Sequence, residues 1–141
     1  MGGATVCLAS SLDLPKQVVG IVSDCAYTSI KDELKYQMSK FSKYIPMNLL
    51  INVINLFIKA RLHVSMNDTQ PIDAVKDAKV PMIFYHGVND EIVDVDFCKQ
   101  LYEACGSKKK MVIDENANHA ETIAYQKQNY INNILDFFNL R

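Results

Sequence analysis

Two residues in this sequence have the types and the placement for proton-transfer chemistry, Asp90 and His119. Asp90 follows the run Val80-Pro-Met-Ile-Phe-Tyr85 and the turn-forming pair His86-Gly87, and His119 follows Lys110-Met-Val-Ile-Asp114 and a short polar loop. Loops at the carboxyl ends of strands in an open α/β sheet are where ligands and catalytic groups collect. Adjacent parallel strands joined by a right-handed crossover set two such loops side by side. A carboxylate beside an imidazole fixes one tautomer of the ring and stabilises its protonated form, so the second ring nitrogen can act as a general base. The plain alternatives are a loop aspartate that forms a turn or cap and a histidine that is merely part-exposed.

The remaining candidates are weaker. Asp24 ends the run Gln17 to Ser23 and offers an alternative acid. His86, ahead of the glycine turn, reads as a buried, hydrogen-bonded structural residue. Imidazole and carboxylate suit zinc, so His86, Asp90 and His119 together could hold an ion, although they lack the short ligand spacing of a metal motif. Cys7 falls inside a helix and reads as packing. His63 ends a helix and suits its carboxyl terminus. Gly106-Ser-Lys-Lys-Lys110 reads as a solvated basic patch.

The elements that must position these residues follow from apolar patterning. Val80 to Tyr85 is almost wholly apolar, as a strand covered on both faces should be. Gln17 to Ser23 and Lys110 to Asp114 are two further strand candidates. Helices are expected over Gly2–Ser11, from Thr28 or Ser29 to about Phe41, from Pro46 through the apolar residues Leu49, Leu50, Val53, Ile54, Phe57 and Ile58, over Pro71–Ala78 with Thr69 as cap, over Val95–Cys105, and over Glu121–Asn139. In the last of these, Ile123, Tyr130, Ile134, Leu135, Phe137 and Phe138 are expected to face the sheet. Alternation of strand and helix gives the α/β class, with a parallel sheet and flanking helices. Three strands alone make a small sheet with a long open edge. The two helices between residues 28 and 63 exceed what a simple crossover needs, and read as a lid inserted over the carboxyl ends of the strands.

Length and composition set bounds. At 141 residues the chain suits one domain or part of a larger one, and 49% apolar residues are ordinary for a globular protein. A formal net charge of -1 gives no reason to expect nucleic acid or an anionic membrane as partner. The long apolar stretch Ile45–Ala60 is too short and too polar to span a bilayer. Cys7, Cys25, Cys98 and Cys105 contain no Cys-x-x-Cys pair, which favours reduced thiols and a cytoplasmic setting over a disulfide framework.

His86-Gly-Val-Asn-Asp90, followed after the next strand by Asn116-Ala-Asn-His119-Ala-Glu, resembles the acid and histidine segments of the α/β-hydrolase fold. Ser23-Asp-Cys-Ala-Tyr-Thr-Ser29 and the Lys-Asp-Glu-Leu after it resemble a segment of a bacterial branch of serine esterases within it. The resemblance covers nearly the whole chain in the right order. It implies a partial α/β-hydrolase fold comprising the last three strands, in a single partial domain over 1–141 with the 28–63 insertion as its lid. Asp90 would be the triad acid and His119 the general base. The nucleophile in that family is a serine in Gly-x-Ser-x-Gly at a strained strand-to-helix turn. Met1-Gly-Gly-Ala-Thr-Val6 resembles the residues directly after that serine, with Gly2 as the final glycine of the motif. The nucleophile is therefore expected one residue before Met1, and the backbone N–H of Met1 would serve the oxyanion hole only with the serine in place.

The resemblance implies a serine hydrolase acting on a carboxylic ester or similar small acyl substrate, a chemistry that needs no metal or organic cofactor. Without the serine the chain alone is expected to be inactive, because Ser10, Ser11 and Cys7 lie along the helix and cannot replace an elbow nucleophile. The apolar stripe Leu49–Ile58 would be packing first and an acyl-pocket wall second. Any export signal would lie in the missing amino-terminal half, and that half, or another chain, is expected to cover the open sheet edge. The competing expectation is a non-catalytic remnant or partner-dependent binding module.

Overall fold

A computed structural model describes residues 1–40, 46–68 and 70–141. Three parallel strands, β1 (Ile21–Asp24), β2 (Met82–Gly87) and β3 (Lys109–Asp114), form one sheet in the order β1-β2-β3. Ile21 is in register with Met82, and Met82 with Lys109. The helices are α1 (Gly2–Ala9), α2 (Ile30–Ser39), α3 (Met47–Leu62), α4 (Pro71–Ala74) with a 3-10 turn over Val75–Asp77, α5 (Val95–Ala104), α6 (Thr122–Tyr125) and α7 (Lys127–Phe137). This is the expected α/β architecture, with helices on both faces of a parallel sheet. Among the described residues no helix is long and apolar enough to cross a membrane.

The central strand explains the layering. Every residue of β2 is buried, and successive side chains point to opposite faces. Phe84 joins Cys7, Val75, Met82, Cys98 and Leu101 in the core beneath α1 and α5, with its ring edge-on to Tyr102 at 6.3 Å. Tyr85, on the other face, stacks on Tyr130 of α7 at 4.0 Å and donates its hydroxyl to the Tyr130 carbonyl. All four cysteines are free and buried, as apolar packing predicts for Cys7, Cys98 and Cys105.

Helix α1 lies closely on β1. A methyl group at Gly3 would collide with the Asp24 carbonyl oxygen, whereas one at Gly2 would meet open space. The tight position is thus Gly3, one residue beyond the glycine matched to the family motif. Ser23 completes the joint, donating its hydroxyl to the Gly3 carbonyl at 3.3 Å and lying 3.2 Å from Cys7 Sγ.

Helices α2 and α3 leave the sheet and return to it at nearly one place, since Ile72 N–H donates to the Thr28 carbonyl at 3.0 Å. Ser29 caps α2 by accepting from Asp32 N–H at 3.0 Å. The Asp32 carboxylate in turn accepts the Ser29 and Thr28 hydroxyls, so the reciprocal bond of a capping box goes to side chains here. His63 ends α3 in a left-handed conformation (φ 57) with its N–H on the Lys59 carbonyl.

Several expected elements differ in extent. Residues 17–20 are not strand: Val18 N–H closes a turn on the Pro15 carbonyl, and pairing with β2 begins only at Ile21 N–H to Pro81 O. Pro71–Ala78 shortens to α4 and the 3-10 turn, with Gln70 at the cap position. Thr69, expected to cap it, and Phe41, expected to end α2, lie outside the described residues. The closing helix is broken at Gln126 (φ -129, ψ 40), and Ile123 on its first piece is exposed rather than set against the sheet. On α3 the fully buried residue is Ile51, while Leu49, Val53 and Phe57 face outward. Lys109 and Lys110 of the basic patch belong to β3, and Lys109 Nζ donates to the Glu103 and Cys105 carbonyls.

Candidate active site

Asp90 and His119 meet at the carboxyl edge of the sheet. His119 Nδ1 lies 2.7 Å from Asp90 Oδ2, a charge-assisted hydrogen bond in which the ring N–H donates. The other ring nitrogen, Nε2, is left at the opposite edge of an imidazole whose side chain is 30% exposed. Such a ring can take a proton from a hydroxyl placed against Nε2 and hold the resulting charge beside the carboxylate.

Local backbone explains why Asp90 is fixed. The strand stops at Gly87, Asp90 N–H closes a turn on the Gly87 carbonyl, and Oδ1 accepts the N–H groups of Ile92 and Val93 at 2.8 and 2.9 Å. The side chain is thus held by one oxygen and presents the other to His119. Burial pushes the Asp90 carboxyl up, but the Val93 N–H, His119, the Ile92 N–H and the Cys25 thiol outweigh it and hold its pKa below the ordinary carboxylate value.

His86 stands behind the pair. It is wholly buried, with Nε2 at 3.0 Å from the Val93 carbonyl and 3.3 Å from Asp90 Oδ2. A carbonyl only accepts, so Nε2 carries the hydrogen. Nδ1 has no partner among the described residues. Asp90 Oδ2 is therefore shared by two imidazoles.

Asp24 is occupied elsewhere: Oδ1 accepts from the Cys25 thiol at 3.2 Å, and Oδ2 from the Tyr130 hydroxyl at 3.4 Å. Met1 stands exposed at the head of α1. The joint of Gly3 with Asp24 and Ala26 keeps that end of α1 at the same sheet edge as the Asp–His pair.

Cys25 was not singled out by sequence reasoning. Its backbone is left-handed (φ 50), as is that of Ala120 (φ 57), conformations that cost a residue with a side chain about 1–2 kcal/mol each. The Ala120 N–H donates to Cys25 Sγ at 3.2 Å, tying the end of β1 to the histidine loop. Burial, together with the nearby Asp24 carboxylate, pushes the thiol pKa well up, so Cys25 is not an activated nucleophile. The available signal was its place directly after a strand, the same signal that marked Asp90 and His119. Among the described residues, the side chains gathered closely enough for a metal ion are Cys25, Asp90 and His119, so the cluster contains Cys25 where His86 was expected.

An open cleft of about 760 Å³ adjoins the acid loop, lined by Tyr36, Lys40, Asn89, Asp90, Ile92 and Asn118. Its α2 wall is pinned to that loop by Gln37 on the Ile92 carbonyl and Lys40 on the Glu91 carbonyl. Tyr36 meets Phe97 of α5 edge-on at 6.1 Å.

No family model matches the sequence. The chain is 22% identical over 137 residues to the uncharacterized protein YqkD of Bacillus subtilis, a match covering 97% of this chain and 45% of that protein. Among solved structures, the Pyrococcus furiosus esterase Pf2001 superposes with a TM-score of 0.63 at 17% identity, over 96% of this chain and 49% of the other. Acetyl xylan esterase 1 from Thermoanaerobacterium gives a TM-score of 0.65 at 15% identity, over 97% and 42%. The acylaminoacyl peptidase of Pyrococcus horikoshii gives 0.64 at 13% identity, over 96% and 22%. The chain thus spans about half the length, or less, of the proteins it matches. Its architecture is that of part of an α/β-hydrolase fold, seen here in esterases and a peptidase.

Proposed function

We propose that this chain supplies the acid, Asp90, and the general base, His119, of a Ser-His-Asp triad in a serine hydrolase acting on an ester or related acyl substrate. The observation that carries the reading is the 2.7 Å bond from His119 Nδ1 to a carboxylate fixed by two backbone N–H groups. Such a pair has the parts to orient an imidazole and stabilise its charged form while Nε2 serves a nucleophile. The nucleophile is a serine just upstream of Met1, in a segment that also pairs with the free side of β1 and completes the oxyanion hole with the Met1 N–H. Relatives about twice as long leave room for that segment. The 28–63 insertion is a lid; the bonds of Gln37 and Lys40 to the acid loop support that placement.

Fluorophosphonate labelling tests the reading on this chain and on one extended upstream. Covalent labelling of a serine in the longer chain only, lost in His119→Ala, is the expected result. Turnover of a p-nitrophenyl ester by the 141 residues alone, abolished by His119→Ala, would refute the absence of a nucleophile. No labelling of either chain favours the second reading, a non-catalytic module. The observation behind that one is β1, whose outer side carries no strand among the described residues.

A further inference from the structure

We propose that Cys25, Asp90 and His119 form a binding site for a divalent transition-metal ion of the zinc class. One sulfur, one imidazole nitrogen and one carboxylate oxygen of these residues all lie within 4.8 Å of one another. Around a tetrahedral ion with ordinary metal–ligand distances, such atoms settle roughly 3.4–3.6 Å apart. On binding, His119 Nδ1 and Asp90 Oδ2, 2.7 Å apart across their hydrogen bond, must part as that hydrogen leaves the nitrogen, while the wider separations within the cluster close. Thiolate, imidazole and carboxylate together suit zinc, cobalt or a similar ion, whereas calcium and magnesium take oxygen ligands. Three protein ligands leave a fourth position for water.

The surroundings are those of a held ligand set rather than a chance cluster. Cys25 takes an unfavourable left-handed backbone, and its Sγ stands beside the histidine loop. The Ala120 N–H donates to that sulfur, while the Ile92 and Val93 N–H groups hold Asp90. His86 backs the oxygen that faces His119. Such outer bonds orient ligands and support the charge on them. The Asp24 and Asp90 carboxylates flank the thiol, and a dication is what would balance a thiolate between them. On binding, a metal–sulfur bond replaces the sulfur–hydrogen bond and the proton passes to solvent. The imidazole and carboxylate bind through lone pairs, with the imidazole hydrogen on the nitrogen away from the ion. The site rests on the three side-chain positions alone. Its consequence, an imidazole withdrawn from base duty, is the only part that rests on the hydrolase reading.

Cobalt(II) titration of the 141-residue chain under reducing, chelator-free conditions tests it directly. Expected are one equivalent bound, a sulfur-to-cobalt charge-transfer absorption in the near ultraviolet, visible bands of tetrahedral intensity, and loss of all of them on adding zinc. Cys25→Ser removes the charge-transfer band, single serine substitutions at Cys7, Cys98 and Cys105 keep it, and His119→Ala weakens binding by about ten-fold or more. Cadmium NMR on the unsubstituted chain, where misfolding of a variant plays no part, gives a single resonance displaced as one sulfur ligand requires. Cobalt bound without a thiolate band, a band that survives Cys25→Ser, or a cadmium resonance typical of oxygen and nitrogen ligands alone would each overturn the site. The fluorophosphonate labelling is done with chelator present, so that metal occupancy does not enter it and the two readings fail separately.

Discussion

Gly87 and Ala117 are in backbone contact: a methyl group placed on Gly87 would overlap the Ala117 carbonyl oxygen. The same carbonyl accepts Asn89 N–H at 3.1 Å, and Val88 N–H reaches Asp114 O at 2.8 Å. Three residues past the glycine lies Asp90, and two past the alanine lies His119. The distance between acid and imidazole is thus set by how closely two main chains approach, and only a residue without Cβ permits it.

Gly87→Ala is expected to part the two loops. Overpacking of this kind costs about 1–3 kcal/mol, and part of the strain should appear as a longer Asp90–His119 separation. Chemical denaturation measures the first. The second is read from the His119 Nδ1 proton, whose downfield NMR signal should weaken or vanish in the variant. A signal and a midpoint both unchanged would show that the contact does not position the pair.

Helix α3 supports a contrast within one element. Ile51 is 2% exposed and Phe57 is 71% exposed. Ile51→Ala should cost about 2–5 kcal/mol, as removal of buried methyl groups does. Phe57→Ala, though it removes more atoms, should stay within about 0.5 kcal/mol, as for other surface changes. Urea midpoints for the two variants decide the matter, and similar losses would mean that Phe57 is covered by something in solution.

This contrast shows how far the sequence could be read. Its helical period placed a helix from Pro46 through Ile58, but Leu49, Leu50, Val53, Ile54, Phe57 and Ile58 form a stripe too wide for one contact face. Period alone does not say which edge a neighbour covers, and only the edge that holds Ile51 is fully buried. The buried run of β2 was legible from Met82 to Tyr85, four consecutive apolar residues, but the strand starts two residues later than Val80 and runs on through His86 and Gly87, which a polar side chain and a turn former do not announce. Residues 17–20 also look strand-like in composition, yet Pro15 starts a turn there and a strand needs a partner at the same height, which β2 offers only from Met82. Asp90 and His119 were visible as polar residues ending strands. Cys25 ends a strand too, but its relation to the pair depends on a left-handed backbone, and nothing in the residue types announces that.

The cap of α2 yields a third expectation. Ser29 Oγ accepts Asp32 N–H and donates to the Asp32 carboxylate at 2.7 Å, in a largely buried setting. Ser29→Ala should cost about 0.5–2 kcal/mol. Amide exchange should quicken most in the first turn of α2 and little in α5, whose cap is Asp94. Equal acceleration in both helices would point to global unfolding instead of a lost cap.

The Asp90 carboxyl makes stability depend on pH in a direction that can be worked out. Its pKa in the folded chain is held below the unfolded value of about 3.9. A group shifted this way contributes stability that is fully present above the unfolded pKa and is lost as pH falls through the folded one, because the unfolded chain takes up the proton first. Asp90→Asn lacks that titration and also loses an acceptor for one of two imidazoles. At neutral pH it should therefore be less stable than the parent by about 1–3 kcal/mol, the cost of leaving buried hydrogen-bonding groups poorly paired. As pH drops below about 4 the parent should lose stability faster than the variant, and the gap between them should narrow. Other carboxylates titrate in the same window, Asp13 beside Lys79 among them, so the informative quantity is the difference between the two curves. Two curves that stay parallel from neutrality down to the acid transition would mean that Asp90 keeps its charge no more tightly folded than unfolded, and the hydrogen bonds from Ile92, Val93 and His119 would then have no net hold on it.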